Sequence, residues 1–367
     1  MLLAALIGTA SFVAPSAAQE RPKELLEKLQ RVRLDPANSY QVAELRLRQD
    51  AIRLTLHHGT LVFFEPVEGR VTGAVFEGSG EVLVLPPDLP ERQQMAKFTG
   101  SPILTETFDA AYLRFSEDTY TELRRQLRAG GEPRHAPELL ERWEERLPQL
   151  NPTHSLRLLL EGGPSGGRYF YAGVNGERLG AFDLVVDERR PEQLRVGQVR
   201  IVEGLPFYDV WTSFSPREMP PAPPSARARS YRVDTTILPT SELEGVCEVE
   251  LEPLAGPRVV LFELSRRLLV DDVSEQAAGQ TASEWRPLDF FQNTTYSEEE
   301  VQHRGTDLVV VLLPAAPEDD APRRLRFRYR GRVIAALGNG VFFVGARENW
   351  YPRVGYYKPA RYELRFR

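Results

Sequence analysis

From Ala43 onward, apolar residues recur at every second position in short runs broken by glycine and proline. A period of two fits strands with one face buried and cannot lay a continuous stripe along a helix. Leu45 and Leu47, then Ile52, Leu54 and Leu56, then 61–64 read as strands parted at Gln49-Asp50 and His58-Gly59. Residues 71–76 and 82–85 continue the meander; Gly78 and Gly80 turn the chain and Pro86-Pro87 ends it. Residues 110–115, 155–160, 169–174, 180–186, 196–202 and 207–214 are further expected strands, with Asn175-Gly176 as a two-residue hairpin signal. The expected fold class is mainly β: antiparallel β-sandwich or meander domains with a few short helices.

Helical spacing appears in residues 20–33, where Leu25, Leu26, Leu29 and Val32 share one face and Asp35-Pro36 ends the run. Ser116 caps a short helix with Glu117 and Asp118 in its first turn, where the helix dipole favours acids. A further helix follows Pro137, carries Leu139, Leu140, Trp143 and Leu147, and ends at Pro148.

Residues 216–230, with Pro216, Pro220, Pro221, Pro223 and Pro224 and no apolar period, read as a semi-extended linker. Beyond it Val233, Thr235 and Ile237 alternate, and 246–251, 259–264, 268–273, 308–313 and 325–329 follow as strands. The first eighteen residues are apolar and end in small side chains, the pattern of a secretory signal. The expected organisation is a signal peptide (1–18), a helical lead-in (19–36), a β-rich domain (37–215), the linker (216–230) and a second β domain (231–367). An extracytoplasmic location, periplasmic, secreted or envelope-associated, and no transmembrane span in the mature chain follow from that signal.

A net charge of −6 supplies no basic face for nucleic acid. Arg324, Arg326, Arg328 and Arg330 alternate with Leu325, Phe327 and Tyr329, a solvated strand face. Cys247 is the sole cysteine, sits in a strand pattern and reads as a small core residue.

Residues 338–367 run GNGVFFVGARENWYPRVGYYKPARYELRFR. An apolar strand leads to Ala346-Arg347, then Trp350-Tyr351-Pro352, then Lys358-Pro359-Ala360-Arg361-Tyr362-Glu363-Leu364. That order resembles the first, non-catalytic domain of the aminopeptidase N family of zinc metallopeptidases. Val270-Asp271-Asp272-Val273 and the Leu325-Phe327-Tyr329-Gly331 strand add to a resemblance covering 231–367. The resemblance implies an incomplete sandwich, with the zinc domain expected downstream, and a chain inactive alone. Peptide substrate or that peptidase domain is the implied partner. Such an incomplete sandwich leaves an exposed edge near 362–367 with a tendency to associate. The family's substrate-holding Gln aligns with Gly340, and its residues after the aromatic-Pro turn give way to Arg353, Val354, Gly355 and Tyr356.

The residues themselves carry no zinc-binding motif. His57, His58, His135, His154 and His303 include no pair three or four apart, and none is followed by Glu. His57 and His58 point to opposite faces of a strand and cannot grip one ion. Gly162 to Gly167 lacks the Lys-Ser/Thr of a phosphate loop, and Asn293-Thr294-Thr295 is an isolated glycosylation tripeptide. Of the acids Asp109, Glu117 and Asp118, the last two are explained by the helix start rather than by acid–base work. No metal or cofactor is therefore expected in this chain. Candidate binding residues are Arg347, Trp350 and Tyr351 from the resemblance, and Tyr208 and Trp211 from the aromatic run 207–214. The second pair suggests the alternative, a stand-alone envelope module for carbohydrate or protein.

Overall fold

The computed structural model describes residues 17–127, 136–147, 152–161, 167–188, 190, 192–202, 205–215, 226–252, 259–276, 284–292, 294, 306–314, 322–336, 341–344, 349–354 and 360–367. The N-terminal part of the signal, linker residues 216–225, His135, Gly162 to Gly166, Asn293, His303, Gly340 and Arg347 lie outside them. Among the described residues the fold is mainly β, with five short helices and sheets whose strand pairs are antiparallel except for one parallel pair.

The first sheet is an eight-stranded antiparallel meander in chain order: β1 (Leu34–Gln49), β2 (Ile52–Phe64), β3 (Gly73–Val84), β4 (Leu104–Phe115), β5 (Tyr169–Gly176), β6 (Gly180–Asp187), β7 (Leu194–Val202) and β8 (Leu205–Phe214). Its alternating residues bury Leu45, Leu47, Ile52, Leu54, Phe63 and Phe76 on one face, together with Trp211 and Phe214 of β8. Two helices plug that face: α2 (Leu89–Thr99) through Met95 and α3 (Glu117–Gln126) through Leu123. The sheet is curled. Gln49 Nε2, at the β1–β2 tip, donates to Thr119 Oγ1 at 3.1 Å, while Asp118 beside it pairs with Arg168 at 3.3 Å, just before β5. In a flat sheet, four strand spacings would part β1 from β5 by about 19 Å.

The opposite face packs α1 (Ala17–Gln30), α4 (Ala136–Glu144) and α5 (Thr153–Glu161). Leu25 and Leu29 of α1, Leu139 and Trp143 of α4, and Leu156 and Leu159 of α5 join Val62, Phe64 and Val75 there. Full burial of each such side chain contributes about 1.5–3 kcal/mol.

Residues 155–160, expected as a strand, form most of α5. Adjacent leucines satisfy both periods, and Leu and Arg are strong helix formers, so local propensity decides. Asn175-Gly176 is not the turn: both pair within the β5–β6 ladder, and the chain reverses over residues 177–179 into Gly180 at φ +71°. Helix α2 has no counterpart among the sequence expectations. Its weak apolar face gives little periodic signal, yet Gly100 ends it in the left-handed region.

The second unit is a sandwich. Its larger sheet orders β13 (Trp285–Pro287), β12 (Leu268–Gln276), β16 (Arg323–Gly331), β10 (Leu243–Leu251), β9 (Ala228–Ile237) and β19 (Arg361–Phe366). A smaller sheet orders β11 (Val259–Ser265), β15 (Thr306–Leu312) and β14 (Phe290–Gln292); β17 (Ile334–Ala336) pairs with β18 (Phe342–Val344). Phe262 and Phe327 meet between the two sheets at 4.6 Å, beside the fully buried Cys247, whose thiol burial pushes up. The β15 run Leu308 to Leu312 is apolar on both faces because both are covered. Val309 and Val311 enter the sandwich core, while Val310 turns to the helical layer of α1, α4 and α5.

Two backbone features tie sequence to stability. Gly59 and Gly78 face each other across β2 and β3 at φ +157° and +147°. A Cβ on Gly78 would lie 2.1 Å from the His58 carbonyl oxygen, so the strands approach as no other residue would allow. Asp50 turns β1 into β2 at φ +52°, with its Oδ2 buried and without a hydrogen-bond partner. Burial raises its pKa and Glu188 adds to that, against the lowering influence of Arg168 and Arg48. A raised carboxyl pKa means the folded state holds the proton more tightly, so this group destabilises increasingly as pH rises above about 4. Asp50→Asn keeps a residue tolerant of the left-handed region and removes the charge. It is expected to raise stability at pH 7 by up to about 1 kcal/mol and to change it little below pH 4, as read from urea midpoints. A variant less stable than the parent at pH 7 would contradict this account.

Candidate functional site

The first and last strands of the second unit lie side by side: β19 pairs in parallel with β9, Tyr362 opposite Tyr231 and Leu364 opposite Val233. β19 is the edge of its sheet, and all six of its residues are exposed. Alternation divides them. Tyr362, Leu364 and Phe366 lie on one face, with Arg361, Glu363 and Arg365 on the other. The apolar three stay 47%, 46% and 57% exposed.

An aromatic cluster is built against that apolar face. Tyr362 stacks on Tyr231 at 5.2 Å with planes 10° apart, and Tyr351 meets Tyr231 edge-on at 5.5 Å. Trp350 touches Tyr351 at 5.1 Å and Phe366 at 5.6 Å. The Tyr351 and Tyr362 hydroxyls are 3.3 Å apart. Burial pushes the Tyr231 and Tyr351 hydroxyls well above the ordinary phenol range, so both remain neutral near pH 7. The Tyr231 hydroxyl accepts from the Val354 amide at 3.0 Å, which anchors the end of the Trp350-Tyr351-Pro352 turn.

The turn is held from its other side by β11. The Glu263 amide donates to the Arg353 carbonyl at 2.7 Å, the Arg353 amide returns a bond at 2.9 Å, and the Ser265 amide donates to the Asn349 carbonyl at 2.7 Å. Asn349 Nδ2 also donates to Glu263 Oε2 at 3.2 Å. The other Glu263 oxygen meets Arg190 of the first unit at 3.3 Å, and Arg190 lies 3.7 Å from Asp187. Asp187 in turn receives Arg157 of α5 at 3.0 Å, a pair with 2% and 4% side-chain exposure. Burial alone would raise the Asp187 pKa; Arg157 and Arg190 outweigh it and hold the carboxyl well below the usual range. A line of charges therefore runs from the core of the first unit to the aromatic turn.

On the polar face of β19, Arg365 bonds Glu363 at 2.5 Å and lies 3.9 Å from Asp234 of β9. Arg361 and Arg367, at the two ends, make no side-chain ion pair among the described residues.

Of the residues singled out from sequence, Trp350 and Tyr351 belong to this cluster, while Arg347 lies outside the described residues. Trp211 is in the core of the first sheet, 2% exposed, against Phe182 at 5.2 Å. A register shift between Val196 and Gly197 on β7 places it at a bulge in β8. Tyr208 is half-buried, donates to Asp183 and lies under Arg195 at 5.3 Å. The first pair lies in the turn against the second unit and the second in β8 of the first sheet, and they do not form one site. Tyr231, Tyr362 and Phe366 were missed as site residues. Their alternation was visible, but the pairing of first with last strand was not.

Glu44 and His57 are bonded at 2.9 Å, which lowers the Glu44 pKa. Two donors fall short of a zinc site, and among the described residues no group of three or more His, Cys, Asp or Glu is placed to hold a metal. Among those residues no helix is long and apolar enough to cross a membrane.

No protein-family profile matches the chain, and no curated protein matches it. Among solved structures, native yeast LTA4 hydrolase is similar at 14% identity over 29% of this chain and 15% of its own length, with a TM-score of 0.22. An M1 zinc metallopeptidase mutant from Deinococcus radiodurans, bound to a Tyr-Ser-Ala substrate, is similar at 17% identity with a TM-score of 0.21. That likeness covers 36% of this chain and 26% of the other, so the chain spans about a quarter or less of either structure's length.

Proposed function

We propose that this chain is an exported, non-catalytic β portion of a zinc aminopeptidase-like metallopeptidase, and that it holds an extended polypeptide along the outer edge of β19. The polypeptide is either peptide substrate or a segment of the peptidase domain. What carries the reading is the half-exposed aromatic cluster standing on a strand edge that has no outer partner strand among the described residues. Main-chain groups of the edge supply hydrogen bonds to an added strand, and the rings of Trp350, Tyr351, Tyr362 and Phe366 supply apolar contact. The ordered motifs of residues 338–367 support assigning that edge to the peptidase family. The sugar-platform alternative draws less support, because Trp211 presents no exposed ring.

Fluorescence anisotropy with labelled peptides of alternating apolar residues tests this. Binding is expected, with a loss of roughly ten-fold or more in Tyr362→Ser/Phe366→Ser and none in Tyr208→Phe. Affinity unchanged by the double substitution overturns the edge as the site. Turnover of an aminoacyl substrate by the zinc-treated chain alone overturns the non-catalytic assignment.

A further inference from the structure

The charges on the polar face of β19 select what the edge can accept, an inference that rests on the binding edge proposed above. Glu363 and Arg365 satisfy each other, and Asp234 backs Arg365. Arg361 and Arg367, six residues apart, have no acidic partner among the described residues, and both are exposed. In a strand, that separation is about 20 Å, with both side chains on the same face. The opposite face shows Tyr362, Leu364 and Phe366 half-exposed.

A second copy of this chain fits the edge poorly. Pairing two β19 strands antiparallel sets Glu363 against Arg365 only by setting Arg361 against Arg367 at both ends. Sliding by two residues sets Glu363 against itself in one direction and Arg365 against itself in the other. Like charges directly opposite each other destabilise a sheet. We infer that the edge of β19 takes a strand with acidic residues at two positions six apart, apolar residues facing Tyr362, Leu364 and Phe366, and neutral polar residues between. The pattern acid, apolar, polar, apolar, polar, apolar, acid is symmetric, so it matches the two arginines in either strand direction.

The test compares two labelled heptapeptides on the whole chain: Glu-Val-Thr-Val-Thr-Val-Glu and Lys-Val-Thr-Val-Thr-Val-Lys, with blocked ends. The acid-ended peptide is expected to bind roughly five-fold tighter or more at low salt, with the difference shrinking as salt rises. Arg361→Glu/Arg367→Glu is expected to reverse the preference; both sites are exposed, and an unchanged melting curve confirms the fold. Equal affinities, or a preference that survives the reversal, overturn the acidic partner while leaving edge binding intact. A stable dimer that neither peptide dissociates assigns the edge to a second copy and overturns the inference. A monomer that binds neither peptide overturns both the inference and the binding edge itself.

Discussion

Arg157→Met is expected to lower stability by about 3–5 kcal/mol, because it strands the carboxylate of Asp187 in the interior. Arg157 donates to both oxygens of that carboxylate, at 3.0 and 3.3 Å, and its guanidinium lies over Tyr169 at 5.4 Å. Arg190 remains 3.7 Å away but is less buried and shared with Glu263, so it replaces only part of the lost attraction. Urea unfolding followed by tryptophan fluorescence measures the loss. The double variant Arg157→Met/Asp187→Leu removes both charges and is expected to recover most of it. The pH dependence carries the same signature. The folded carboxyl titrates below its unfolded value of about 3.9, so its contribution is complete above that pH and fades as pH falls below it. Wild-type stability therefore drops in acid below about pH 4, and the drop is shallower in the double variant. A loss under 1 kcal/mol for Arg157→Met would show that the buried pair contributes no more than an exposed one.

Gly78→Ala should be nearly as damaging, at about 2–5 kcal/mol, since it combines a φ of +147° with a Cβ 2.1 Å from backbone oxygen. Both neighbours are main chain, so no side-chain rotation relieves the clash. Gly69→Ala separates the two effects. Gly69 has φ +76° but open space around its Cβ, and its loss is expected near 1 kcal/mol. Equal thermal midpoints for the two variants would mean that the β2–β3 approach relaxes freely.

Much of this architecture could be read directly because burial on one face of a strand imposes its own rhythm. Leu45, Leu47, Ile52, Leu54 and Leu56 alternate in the sequence and alternate in the sheet. Arg324, Arg326, Arg328 and Arg330 proved to face away from the buried Leu325, Phe327 and Tyr329 of β16. Leu25 and Leu29, and Leu139 and Trp143, were equally plain as helix faces, while Val32 and Leu147 are buried just beyond the ends of those helices. Where the rhythm was ambiguous, the reading failed. The leucines of 156–160 fit either period, and a helix stands where a strand was expected. Candidate-site residues were legible only as far as neighbours in sequence reach. Trp350 and Tyr351 stood out beside Pro352, but Tyr231 comes more than a hundred residues earlier and joins them through the β9–β19 pairing. No local pattern encodes such a partnership.

The contrast between the two sheets bears on how the polypeptide is made. From β2 to β8, each strand of the eight-stranded sheet finds a partner in the strand just before it, so that unit can assemble stepwise as it leaves the ribosome. The six-stranded sheet cannot. β9 must wait through the synthesis of everything up to β19 before its outer neighbour arrives, and until then its own edge is open to chaperones or to misplaced strands.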